Sequence, residues 1–114
     1  MIKYIVFLLI LLAVSSKINA QGIVIIGTGQ SSCGEWVQAH KMQKDIYEQW
    51  VTGYISSYNY YSAKPIDNVP NLETISLWLD VYCKRNPTDI ILLSASALIQ
   101  HLGGQPALHK WRKP

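Results

Sequence analysis

Apolar side chains recur at helical spacing in three stretches of this chain, separated by segments rich in proline, glycine and short polar residues. The first opens at Ser32-Cys33-Gly34-Glu35, the Ser-x-x-Glu spacing of a capping box. In that motif the serine oxygen and the glutamate carboxylate satisfy backbone amides that lack partners at a helix start. Trp36, Tyr47, Trp50, Val51, Tyr54, Ile55, Tyr58 and Tyr61 follow, and from Tyr47 onward they keep steps of three and four. Lys41, Lys44, Asp45 and Glu48 take the other side, so the pattern predicts one long amphipathic helix running to Tyr61. Gly53 lies inside it at a cost of about 1 kcal/mol relative to alanine, which a close helix crossing can offset.

The second stretch is capped by Asn71, with Glu73 in its first turn and Lys84 and Arg85 in its last, each suited to the helix dipole. Leu72, Ile75, Trp78, Leu79 and Tyr82 form its apolar face. Asn86-Pro87-Thr88-Asp89 then predicts an immediate restart, with Asn86 as N-cap, proline at the first helical position and Asp89 at the third. The third stretch, Ile90 to Leu102, is apolar around most of its circumference apart from Ser94, Ser96 and Gln100, as expected of a central helix. Gly103-Gly104 ends it, and Pro106 prevents its resumption. The expectation is an all-α fold, a small three- to four-helix bundle over residues 32–104. Residues 21–31 read as an extended N-terminal arm, Ser62–Asn71 as an irregular loop, and 105–114 as a basic tail.

The first twenty residues change what the composition means. Lys3, the apolar run Tyr4–Val14 and the terminal Ala20 have the order of a cleaved signal peptide. The run falls well short of the roughly 20 residues that a spanning helix needs. Cleavage would remove two of the ten basic side chains and none of the seven acidic ones, lowering the formal charge from +3 to +1. Nucleic acid is therefore not an expected partner, and no stable membrane insertion is expected after cleavage. The protein is expected in the periplasm or secreted. In such an oxidising compartment Cys33 and Cys83 read as one disulfide stapling the bundle. Closing a loop of about 50 residues contributes roughly 4 kcal/mol in the chain-entropy model.

Candidate chemistry is sparse. His40, His101 and His109 are dispersed, Gly27-Thr28-Gly29 is half of a dinucleotide fingerprint without its third glycine, and an oxidised Cys83 is a poor nucleophile. Asp45 and Glu48 sit one turn apart but beside Lys41 and Lys44, as a solvated charged face would. No catalytic residue, metal or cofactor is expected, and the chain reads as a non-enzyme. What remains is aromatic: Trp50, Tyr54, Tyr58 and Tyr61 are candidate partner-binding residues, joined by Pro65 and Asp67 in the loop. A core face with its rim explains the same tyrosines.

Tyr82-Cys83-Lys84-Arg85-Asn86-Pro87, the earlier Ser32-Cys33-Gly34-Glu35-Trp36 and the signal peptide together resemble the HdeA/HdeB family of periplasmic acid-stress chaperones, on the HdeB side, over roughly residues 31–102. That resemblance implies a small helical protein with a Cys33–Cys83 disulfide, a homodimer near neutral pH, and opening in acid to hold unfolding clients. The longer tyrosine-rich helix with Trp50-Val51-Thr52-Gly53-Tyr54 and the glycine-rich end are similar instead to Tai-type periplasmic immunity proteins. These imply one dedicated partner, a cell-wall amidase toxin. An adaptor docking on an envelope complex is a third expectation.

Overall fold

The computed structural model describes residues 1–4 and 24–106. The expected signal peptide beyond Tyr4, the start of the arm and the basic tail from residue 107 lie outside the described residues. Four α-helices follow a 3-10 turn at Gly27–Gln30: α1 (Cys33–Gln38), α2 (Lys41–Tyr61), α3 (Leu72–Arg85) and α4 (Ile91–His101). The protein is all-α, closed by a Cys33–Cys83 disulfide with Cα atoms 4.7 Å apart. Among the described residues no helix is long and apolar enough to cross a membrane.

The capping box forms as its residues dictate. The Ser32 amide donates to Glu35 Oε2 at 2.6 Å, and the Glu35 amide donates to Ser32 Oγ at 3.1 Å. The helix it starts is short, however, and the single long helix expected from here to Tyr61 is two helices. Ala39 and His40 are extended, and the chain re-enters helix at Lys41, where the Gln43 carboxamide accepts from the His40 amide at 3.2 Å. The break frees Trp36 from the direction of α2 and lets it enter the core fully buried. There its indole N–H donates to Asp80 of α3 at 2.9 Å, and the Lys44 ammonium of α2 bonds the same carboxylate at 3.1 Å. One partly exposed carboxylate thus joins three helices.

The corner after α3 also differs from expectation. Asn86 does not start a helix; it closes α3, its backbone and side-chain N–H groups both donating to the Tyr82 carbonyl. Pro87–Asp89 form a turn, and α4 begins at Ile91. The reason is long-range. The Asp89 and Pro87 carbonyls accept from the Cys33 and Gly34 amides at 2.7 and 3.0 Å, and the Ile91 amide donates to Ser31 at 2.9 Å. The Asp89 carboxylate takes the Tyr82 hydroxyl at 2.6 Å. Donors at the start of α1 therefore claim the very segment expected to nucleate α4.

Helix α1 lies against α3, while α2 packs on α4, on α3 and on the 3-10 turn. Ile75, Leu79 and Cys83 form the buried ridge of α3, and Val51 and Ile55 that of α2. Seven of the eleven residues of α4 are buried, which agrees with its expected central position. Gly103 ends it at φ +90°, a left-handed conformation that glycine adopts without a Cβ penalty.

Candidate functional site

An aromatic row runs along α2 at steps of four, four and three: Trp50, Tyr54, Tyr58, Tyr61. Its members are positioned very differently. Trp50 is half-buried, stacks on Tyr54 with centroids 5.5 Å apart, and donates its indole N–H to the Ile26 carbonyl at 2.7 Å. Its ring also covers Gly29, where a Cβ would come within 2.1 Å of Cζ2, so only glycine allows this approach. The expected arm is accordingly extended at Ile26 and then coils into the 3-10 turn beneath Trp50. Tyr54 places its hydroxyl 2.9 Å from Ser96 Oγ on α4. Tyr58 donates to the Lys64 carbonyl at 2.8 Å and accepts from the Gln105 amide at 2.7 Å, tying α2 to both the loop and the end of the helical domain.

Tyr61 is 81% exposed, its ring edge-on to Tyr60 at 4.8 Å. Tyr54, Tyr58 and Tyr61 line one open groove of about 360 Å³ together with Gln105 and Pro106. The structure therefore brings three of the six candidates together and assigns Trp50 a holding role one turn away.

Pro65 and Asp67 are exposed on either side of Ile66, which is buried in the core. Asn59 grips Ile66 by its backbone, accepting from its amide at 2.9 Å and donating to its carbonyl at 3.3 Å. The loop is thus anchored at its middle and presents its two candidates from a defined position. Sequence reasoning passed over Asn59 and Gln105 and took Ser96 only as a polar position on the last helix. The one available signal was Ile66, an isolated large apolar residue in a polar segment, which announces burial.

A second open groove, of about 450 Å³, lies between the first turns of α2 and α3. Asp45 and Glu48 line it beside Lys41 and Lys44, so the two carboxylates share a mixed-sign surface. Among the described residues no group of three His, Cys, Asp or Glu is arranged to hold a metal ion.

The tyrosine groove offers three rings, of which Tyr54 and Tyr58 are held by hydrogen bonds and Tyr61 is exposed. Such a surface suits a protruding apolar or aromatic side chain of another protein, because little side-chain entropy is lost on contact. Comparison of the chain with family models, with curated proteins and with solved structures yields no match.

Proposed function

We propose that this protein binds one dedicated protein partner through the tyrosine groove at the end of α2, together with Pro65 and Asp67 of the loop that Tyr58 ties to it. The observation that carries this reading is the internal anchoring of the groove: Tyr54 and Tyr58 are tied to α4, the loop and Gln105, so the surface exists before any partner arrives. The resemblance to Tai-type immunity proteins supplies the partner class, an exported cell-wall amidase that the protein blocks by binding. The test is affinity capture from the native periplasm with the oxidised protein as bait, followed by titration of the recovered hydrolase. Tyr61→Ala and Asp67→Lys are expected to weaken that complex more than tenfold while leaving the thermal transition in place. Recovery of no cell-wall hydrolase would end this reading.

The HdeB-like chaperone reading has its own supporting feature. Asp80 joins α1, α2 and α3 through Trp36 and Lys44, and its protonation would remove the ion pair. Protonating all seven carboxylates and the three histidines would also carry the exported chain from +1 to +11, and self-repulsion opposes a compact state. Size and apolar-dye binding between pH 7 and pH 2, with suppression of client aggregation measured alongside, separates the two. Opening accompanied by protection supports the chaperone; a compact protein without protection leaves the dedicated partner.

A further inference from the structure

The tyrosine groove already holds a piece of this chain. After α4 the backbone returns to the end of α2 as Gly104-Gln105-Pro106, a stretch outside any helix. It comes in close. A Cβ on Gly104 would stand 2.9 Å from the Tyr58 hydroxyl and 2.6 Å from Cγ2 of Ile99, and the Gln105 amide donates to that same hydroxyl at 2.7 Å. Pro106 is fully buried where it lines the groove with Tyr54 and Tyr58. One proline of the chain is thus held at these rings, and Tyr61 in the same groove is left 81% exposed.

The rest of the lining narrows what can enter. It consists of Ser57, Ser62 and Gln105, and no charged side chain of the described residues contributes. A charged segment would lose water there without gaining a counter-charge. Hydrogen-bonding capacity is partly spent: the Tyr58 hydroxyl donates to Lys64 and accepts from Gln105, and the Ser62 oxygen accepts from the Lys64 amide at 3.0 Å. The O–H groups of Tyr61 and Ser62 remain as donors, and they call for acceptors.

We propose that the partner enters this groove with an uncharged, proline-rich segment in the polyproline II conformation, laid along Tyr54, Tyr58 and Tyr61 beside Pro106. The inference rests on the reading of the groove as the partner-binding site and names the chemistry that site selects. A polyproline II segment has no internal hydrogen bonds, so its carbonyls are free to accept from Tyr61 and Ser62. Proline also brings no N–H that the groove would have to satisfy. The repeat fits as well. Seven residues of helix separate Tyr54 from Tyr61, about 10.5 Å, and one polyproline turn of three residues advances about 9.3 Å. Aromatic-lined grooves take pyrrolidine rings, and a segment stiff before binding loses little entropy in a groove that is itself preformed.

The test is titration of the oxidised, isotopically labelled protein with two blocked nine-residue peptides, followed by amide chemical shifts. One peptide consists of Ala-Pro-Pro repeats, and in the other alanine replaces every proline. The proline peptide should shift amides within residues 54–62 and that of Gln105, and should bind at least tenfold more tightly than the alanine peptide. Tyr61→Ala should weaken it about tenfold and Tyr61→Phe less, since the ring stays and only the donor goes. Met42→Ala, at the exposed far end of α2, should leave binding unchanged, and all three variants should keep the wild-type circular dichroism spectrum. Equal binding of the two peptides, no binding of the proline peptide at millimolar concentration, or an equal effect of Tyr61→Ala and Met42→Ala would overturn the inference. A captured hydrolase that the proline peptide fails to displace overturns it too, and leaves the dedicated partner standing. A proline peptide that binds where no hydrolase is captured upholds the groove's chemistry and removes only that partner.

Discussion

The two faces of α2 use similar residues to opposite ends. On the inner side Trp50, Tyr54 and Tyr58 each place a polar atom on a partner within the chain: Ile26, Ser96, and Lys64 with Gln105. Their rings add apolar area to the core around Val51 and Ile55. On the outer side Met42, Ile46 and Tyr60 expose comparable apolar surface around Gly53 and contribute little to the fold. Aromatic content alone does not separate structure from recognition. An engaged polar handle fixes a ring in place, and Tyr54 and Tyr58, so fixed, still line the open groove.

Substitutions on the two faces should differ accordingly. Ile55→Ala, on the inner ridge, removes three heavy atoms from a fully packed site and should cost about 3 kcal/mol in denaturant unfolding. Tyr54→Phe keeps the ring but leaves the buried Ser96 hydroxyl without its tyrosine partner; a loss of about 1–2 kcal/mol is expected by the same measurement. Gly53→Ala should reverse the sign, stabilising the monomer by about 0.5–1 kcal/mol, because the added methyl meets nothing and favours the helix. Ile46→Ser, at an exposed position, should leave stability within about 0.5 kcal/mol in thermal melting. A large loss of stability from Ile46→Ser, or none from Ile55→Ala, would collapse the distinction between the faces.

The same contrast governs how much could be read from the residues alone. Ser32 with Glu35, Asn71 with Thr74, and Gly103 act within a few positions of themselves, so their caps and stops are written locally and formed where expected. The helix break at Ala39-His40 has almost no local signature beyond Gln43 reaching back to His40. It takes its sense from Trp36, Lys44 and Asp80, which meet only in three dimensions. Of the six candidate partner residues, the aromatic clustering was legible, but the division between Trp50 as a clamp and Tyr61 as an exposed ring was not. That division depends on Ile26, Gly29 and Gln105, which lie 20 or more positions away in the chain.

By itself the sequence determined the all-α class, the pairing of its two cysteines and the central position of the last helix. Helical periodicity, capping chemistry and a pair of half-cystines leave few alternatives. Only the tertiary structure decided where α4 begins, because the carbonyls of Pro87 and Asp89 were claimed by the amides of Gly34 and Cys33, more than 50 residues earlier. It also decided that Ile66 anchors the loop and that Met42, Ile46 and Tyr60 face outward. A backbone donor can be satisfied locally or at a distance, and a helix can bury either side. Packing makes both choices, since the alternative with fewer unsatisfied polar groups and more buried apolar area is the one that folds.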